Sequence, residues 1–275
     1  MFRFAVAIAF WLALLVDPAQ AAPPQRIVSL NLCVDQYLLA LADRSQIAAL
    51  TQLATDPGMS AMADLARGLP QTSGSAEEVI ALHPDLIVGG TFSLRATREL
   101  LERVGYRTVA LSPDESFASI RETARRLATL VGHPKRGERL VAALDDALAA
   151  APSREEAAPS ALYYQRRGFA SGSRSLVSEI MAAAGLRNLA TDLGIEQTAR
   201  VDLEKIVAMR PAYLVVDSLD PKVEDQGSYM LRHPALLHVV PRSRQLVLPR
   251  PLVTCGGPMT AEAVRRLASQ VNARK

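Results

Sequence analysis

Cys33 and Cys255 are the two cysteines of this 275-residue sequence, and they are the side chains with the most distinctive chemistry. Each one follows a short apolar segment that predicts a buried strand. Three arrangements stay open: a disulfide between them, free thiols that contact a ligand or a soft metal, or two unrelated buried thiols. Only an oxidising compartment would favour the disulfide.

Three arginines are the next candidates for contact with a ligand. Arg166 and Arg167 lie in a Gly-rich basic loop, and Arg250 follows a predicted strand in the segment LPRPLVTCGGP. A guanidinium group suits carboxylates and charged chelates, so the three residues together favour an anionic ligand. The alternative is that Arg166 and Arg167 are solvated loop charges.

The usual sequence signatures of catalysis are missing. The sequence has no G-x-S-x-G elbow, no H-E-x-x-H, no phosphate-binding loop, no dinucleotide fingerprint and no Cys/His zinc spacing. We therefore expect that the protein is not an enzyme and that it has no cofactor and no direct metal site. Two alternatives stay open: an exported α/β hydrolase whose triad is scattered in sequence, and an accessory protein that binds a partner but no solute.

The N-terminal segment has the pattern of a signal peptide. Arg3 precedes an apolar run from Phe4 to Val16, and the segment ends in Ala19-Gln20-Ala21. The run is shorter than the roughly 20 residues that span a bilayer. We therefore expect residues 1–21 to be cleaved and the mature protein to be soluble in the periplasm, an uncleaved anchor being the alternative. That oxidising compartment favours pairing of the cysteines.

Bulk composition narrows the classes of partner. The formal net charge is +3, and no basic cluster of the nucleic-acid-binding type occurs, so we expect no nucleic acid partner. The mature length is long for one compact core and suits two domains.

Strand and helix patterns alternate along most of the chain, which predicts an α/β fold with parallel sheets. Short apolar segments that predict strands lie at 26–30, 47–50, 86–88, 108–111, 160–164, 213–216 and 245–248. The part of the chain between the predicted strands at 108–111 and 160–164 differs, because its residues 116–131 and 135–150 predict two helices. We expect two similar Rossmann-like lobes with a ligand cleft between them. The predicted order is an N-terminal lobe at 22–114, a helical crossing with a long backbone helix at 115–151, and a C-terminal lobe at 152–275.

An internal repeat supports two equivalent lobes. SAEEVIALHPDLIV (75–88) aligns with DLEKIVAMRPAYLV (202–215), 127 positions further along the chain. Glu77 matches Glu204 and Pro84 matches Pro211. The surrounding strand and helix patterns follow the same order in both halves.

The mature chain resembles the helix-hinged periplasmic binding proteins of ABC importers, the group that delivers ferric siderophores, haem and cobalamin. The resemblance rests on RIVSLNLCVDQYLLALA, on EEVIALHPDLIVGG, on the helical crossing and on LEKIVAMRPAYLVV. The first segment departs from the family pattern. The family has Ser-Pro where this chain has Asn31-Leu32, and it has Glu where this chain has Asp35. This departure predicts a subfamily with its own ligand.

The resemblance also implies a partner. In this family one surface glutamate on each lobe docks onto arginines of the inner-membrane permease dimer, and Glu77 and Glu204 occupy the matching positions. A carboxylate can form charge-assisted pairs with arginine. The alternative is that both residues only stabilise their helix N-termini, by about 0.3–1 kcal/mol each. The binding protein itself is expected to be a monomer.

The expected ligand contacts come from loops that follow strands of both lobes. They are Asn31, Leu32, Cys33, Thr91, Phe92, Tyr164, Arg166, Arg167, Arg250 and Cys255. The basic loops favour a ferric siderophore first. A corrinoid is second, because this bulky ligand favours a site walled by aromatic side chains, and the mature chain has no tryptophan and few other aromatic residues. Haem is less favoured, because the four histidines fall at predicted helix ends and are interpreted as turn residues.

Overall fold

The computed structural model describes residues 22–151, 158–218 and 229–274. The predicted signal peptide at 1–21 and the predicted start of the second lobe at 152 lie outside the described residues. The lobe boundaries themselves stay a prediction.

The first sheet lies in the N-terminal lobe and is parallel throughout. Its strands are β1 (Ile27–Ser29), β2 (Ile47–Thr51), β3 (Gln71–Thr72), β4 (Leu86–Gly90) and β5 (Thr108–Leu111), in the order β3-β2-β1-β4-β5. β4 is fully buried, as expected for a central strand that has helices on both faces. This sheet brings the carboxyl ends of five strands to one edge.

The second sheet lies in the C-terminal lobe and repeats most of this plan. Its strands are β6 (Ser160–Tyr163), β8 (Arg187–Asn188), β10 (Tyr213–Val216) and β11 (Gln245–Val247), in the order β11-β10-β6-β8. This order corresponds to β5-β4-β1-β2 of the first sheet, and all of its pairs are parallel. A separate antiparallel pair, β7 (Phe169–Ser171) with β9 (Thr198–Arg200), was not predicted.

Helices cover both sheets and join the lobes. They are α1 (Leu32–Leu41), α2 (Ala63–Ala66), α3 (Ala76–Ala81), α4 (Arg95–Arg103), α5 (Phe117–Leu130), α6 (Pro134–Ala149), α7 (Leu176–Ala183), α8 (Leu203–Met209), α9 (Pro234–Val239), α10 (Arg250–Val253) and α11 (Thr260–Asn272). In the described part of the chain, no helix has both the length and the apolar character needed to cross a membrane.

The sequence repeat corresponds to a structural repeat. α3 and α8 begin at aligned positions, after Ser75 and Asp202 respectively. Both segments then turn through a left-handed residue at the aligned sites His83 (φ 46°) and Arg210 (φ 47°). β4 and β10 follow, starting again at aligned positions. The two lobes therefore share local backbone geometry as well as strand order.

The helical crossing contributes side chains to the cores of both lobes. α6 is the predicted backbone helix, and α5 runs beside it in the opposite direction. Ile120 and Leu144 are buried in the C-terminal core, whereas Leu127 and Val141 are buried in the N-terminal core. The two helices approach closely at Gly137, where a Cβ would lie 2.7 Å from the Ala128 Cβ. The crossing is thus a packed pair that anchors both lobes.

One buried carboxyl group ties α1 to the first sheet. Asp35 is fully buried, and its carboxylate accepts hydrogen bonds from the Thr51 backbone N–H (3.2 Å) and the Thr51 hydroxyl (2.5 Å). Burial raises the pKa of Asp35 from 3.8 to about 6, against the opposing effect of its hydrogen bonds. The folded protein therefore holds a proton on this group at a pH where the unfolded chain has lost it.

Replacing Asp35 by asparagine is expected to change how folding stability depends on pH. Because the folded-state pKa is the higher one, Asp35 makes the wild type less stable as pH rises from about 4 to about 6, by up to about 3 kcal/mol. The Asp35→Asn variant should lose this part of the pH dependence. Urea unfolding of both proteins between pH 4 and pH 7 measures it, with the exposed Asp146→Asn variant as the control. If the free energy of unfolding had the same slope against pH in the wild type and in Asp35→Asn, the burial argument would be contradicted.

Candidate functional site

A cleft lies between the two lobes, at the carboxyl ends of their strands. It contains two cavities with walls from both lobes, of about 340 and 380 Å³, and a smaller pocket of about 70 Å³ in the N-terminal lobe. Arg250 lines both of the larger cavities, and Cys33 lines the second cavity and the small pocket. These shared residues make the three spaces parts of one site.

The first space, called here the arginine cavity, carries a concentration of cationic side chains. Four arginines line it: Arg166, Arg232, Arg242 and Arg250. Two carboxylates also line it, Asp56 from the N-terminal lobe and Asp217 from the loop after β10. Among the described residues that line this cavity, four guanidinium groups outnumber two carboxylates, a composition that favours an anionic group between the lobes.

The second space, called here the disulfide cavity, is lined by hydroxyl and amide groups of the C-terminal lobe. Gln165 donates a hydrogen bond to the Ser171 hydroxyl at 3.1 Å. Tyr163 also lines this cavity. Burial, with a contribution from Asp217, raises the pKa of the Tyr163 phenol well above its ordinary value of 10. Tyr163 is therefore a neutral phenol at physiological pH.

The third space, called here the N-lobe pocket, lies beside the start of α1. Asn31 caps this helix, because its side-chain oxygen accepts from the Cys33 N–H at 2.8 Å. The Asn31 amide also donates to the Ser93 hydroxyl at 2.7 Å, and the Tyr37 hydroxyl donates to Asp114 at 2.7 Å. These bonds fix the polar wall of the pocket before any ligand enters.

A disulfide between Cys33 and Cys255 connects the lobes at the cleft. Their Cα atoms are 5.2 Å apart, and 222 positions separate them in the chain. Next to it, Gly256 packs against the main chain of Asp114 so closely that a Cβ would lie 2.2 Å from the Asp114 carbonyl oxygen. The lobes therefore touch here as well as through the helical crossing.

Seven of the ten predicted ligand contacts line these spaces. They are Asn31, Cys33, Thr91 and Phe92 in the N-lobe pocket, Arg166 and Arg250 in the arginine cavity, and Cys255 in the disulfide cavity. Their contact with a ligand stays a prediction.

The other three predicted contacts lie elsewhere, and Tyr164 is the clearest correction. Its side chain is buried in the C-terminal core, and its hydroxyl donates to the Val201 carbonyl at 3.2 Å. The preceding residue, Tyr163, lines the cleft instead. Arg167 is exposed in a left-handed conformation (φ 62°), and Leu32 is buried in the first turn of α1. Neither of these two side chains lines the three spaces.

Glu77 and Glu204 occupy equivalent positions, each the second residue of its helix and each exposed. Neighbouring Glu78 differs, since its carboxylate accepts from the Thr72 hydroxyl and the Ser73 N–H, both at 2.8 Å. These bonds lower the pKa of Glu78. Glu78 thus fixes a local turn, whereas Glu77 points into solvent.

Sequence reasoning missed two of the four cavity arginines. Arg232 and Arg242 flank α9 and do not directly follow a strand, so a search of strand ends passes over them. The basic segment PRSR at 241–244 was the only local signal. Within the described ranges, no group of three or more His, Cys, Asp or Glu residues is arranged to hold a metal ion.

The chain belongs to the periplasmic binding protein family, whose model matches residues 27–239. A similar solved structure is the periplasmic haem-binding protein RhuT from Roseiflexus sp. RS-1 in apo form, with a TM-score of 0.72 and 26% identity over 90% of this chain and 98% of that one. The haem-binding protein HutB of Vibrio cholerae has the same fold, with a TM-score of 0.74 and 17% identity over 89% of this chain and 98% of that one.

A curated relative in Halobacterium salinarum is named a cobalamin-binding protein. It is 23% identical over 197 residues, which cover 70% of this chain and 53% of the relative. The chain therefore spans about half the length of the curated relatives it matches. Family membership confirms the predicted resemblance and the two-lobed α/β fold.

Proposed function

We propose that this protein is the solute-binding component of an ABC importer and captures an anionic metal chelate in the cleft. The observation that carries the proposal is the arginine cavity, where four guanidinium groups meet two carboxylates between the lobes. A ferric siderophore with carboxylate or catecholate groups fits this charge best, and a corrinoid comes second.

The size of the cleft supports a chelate rather than a single small ion. The two larger cavities, of about 340 and 380 Å³, share Arg250 and fall in the range of ordinary ligand pockets. Named relatives bind haem and cobalamin, which are both large metal chelates. An anionic chelate held by Arg250 would contact both cavities at once.

Delivery to an inner-membrane permease dimer is the second part of the proposal. Glu77 and Glu204 are exposed at equivalent positions of the two lobes, as contact with a two-fold symmetric partner requires. The protein works in the periplasm as a monomer without catalytic activity. Residues 1–21 serve as its cleaved signal peptide.

Replacing Arg250 by alanine is expected to weaken ligand binding about 10- to 100-fold, because a charge-assisted contact in both cavities is lost. The ligand is first found by thermal shift with a tricatecholate, a hydroxamate and a citrate-based ferric siderophore, cyanocobalamin and haem. Calorimetric titration with the compound that raises the melting temperature most then measures the dissociation constant. Arg250→Lys should retain part of the affinity.

Arg167→Ala is the matched control, because Arg167 lies in the same lobe but lines none of the three spaces. Its affinity should stay within about twofold of wild type. Equal affinities of the wild type and Arg250→Ala would contradict the role of the arginine cavity. No thermal shift with any of the five compounds would favour an accessory protein without solute.

A further inference from the structure

The exposed face of α3 carries apolar surface next to its glutamate. Ile80 and Ala81 follow Glu77 by three and four positions, which places all three side chains on one face of the helix. Glu77 and Ala81 are exposed, and 39% of Ile80 is exposed. Val79, on the opposite face, is fully buried and holds the helix to the sheet.

α8 presents the same pattern in the C-terminal lobe. Val207 and Ala208 follow Glu204 by three and four positions. Glu204 and Ala208 are exposed and Val207 is partly exposed, whereas Ile206 is fully buried on the opposite face. The α3 stripe (Glu77, Ile80, Ala81) and the α8 stripe (Glu204, Val207, Ala208) are therefore alike in chemistry and in placement.

The likeness does not extend to every exposed residue of the two helices. The residue after each glutamate differs in charge, being Glu78 in α3 and Lys205 in α8. A single exposed aliphatic side chain is ordinary on a protein surface. Here a carboxylate, a branched aliphatic residue and an alanine recur at aligned positions of both lobes. The exposed aliphatic residue is not needed to hold either helix to its sheet, because a different, buried residue does so in each lobe.

We propose that the two stripes form a two-part docking surface for the permease dimer, in which the aliphatic residue of each stripe contributes as well as the glutamate. This inference rests on the proposed function. A carboxylate needs a basic partner, and a neighbouring apolar contact excludes water from the ion pair and strengthens it. Each permease subunit is thus expected to present a basic side chain beside an apolar recess, and the two-fold axis supplies it twice.

The variants Ile80→Asn and Val207→Asn test the apolar part of the surface. Binding to the permease dimer in lipid nanodiscs is measured by interferometry, alongside Glu77→Gln and Glu204→Gln. Each asparagine variant should weaken binding about tenfold, equivalent to about 1.4 kcal/mol. Leu65→Asn is the matched control, because Leu65 is 55% exposed on α2 and lies outside both stripes. Its binding should equal that of wild type.

Two results would separate this inference from the proposed function. Wild-type binding by both asparagine variants, with weakened binding by the glutamine variants, would overturn the apolar contact and leave the docking glutamates in place. Wild-type binding by all four variants would overturn both the apolar contact and the docking role of the two glutamates. Melting temperatures are measured in parallel, and if an asparagine variant is destabilised, Ile80→Ala and Val207→Ala replace it and should still weaken binding.

Discussion

Exchanging both Glu77 and Glu204 for alanine is expected to reduce solute uptake by whole cells to the level of a strain without the binding protein. Both carboxylates are exposed at the second position of equivalent helices, so removing them takes away the proposed charged contact with the permease on each lobe. The ligand affinity of the double variant should equal that of wild type, because neither residue lines the cleft. Uptake assays and calorimetry on the same variant measure the two quantities.

Glu102→Ala controls for the loss of an exposed negative charge elsewhere, because Glu102 is an exposed residue of α4 outside both docking helices. Its uptake should match wild type. If the double variant lost ligand affinity, the assignment of these residues to docking would be wrong. If uptake were unchanged, the helix-stabilising role of the two glutamates would suffice to explain them.

Loss of the Cys33–Cys255 disulfide is expected to destabilise the protein by about 5 kcal/mol on loop-entropy grounds. The bond closes a loop of 222 positions and restrains the unfolded chain. It also connects the lobes beside the contact between Gly256 and Asp114. The Cys33→Ser, Cys255→Ser double variant should unfold at a lower urea concentration than the oxidised wild type. Chemical unfolding monitored by far-ultraviolet circular dichroism measures the difference.

Reduction of the wild type gives an independent version of the same test. Dithiothreitol should shift the wild-type unfolding midpoint towards that of the double serine variant and leave the variant unchanged. Mass spectrometry under non-reducing conditions counts the free thiols. Two free thiols in protein purified from the periplasm would contradict the disulfide, and an unchanged midpoint after reduction would contradict its contribution to stability.

The fold was largely predictable because its signals are local and repeated. Pro84 and Pro211 end helices at aligned positions, and the apolar segments that follow become the central strands β4 and β10. Two helices were also expected between the lobes, and α5 and α6 are found there. Local patterns do not show that both helices pack into both cores, because that depends on tertiary contacts.

The candidate site was only partly predictable, because its residues meet through tertiary structure. Tyr163 and Tyr164 are adjacent at the end of β6, and only the orientation of the strand decides which one reaches the cleft. Arg232 and Arg242 enter the arginine cavity from the ends of α9, a route that strand-end reasoning does not consider. The position of Arg250 was predictable because it lies three residues after the end of β11 and starts α10.

Native mass spectrometry of the protein purified from its own periplasm, under iron-limited growth, tests the central claim most directly. The cleft has arginine-lined walls and room for a chelate, so one metal chelate that carries an anionic group should co-purify in a 1:1 complex, and elemental analysis should find one equivalent of iron or cobalt. The mass should return to that of the apoprotein after unfolding. A bound solute that is cationic or free of metal would contradict the proposal that this protein carries an anionic metal chelate.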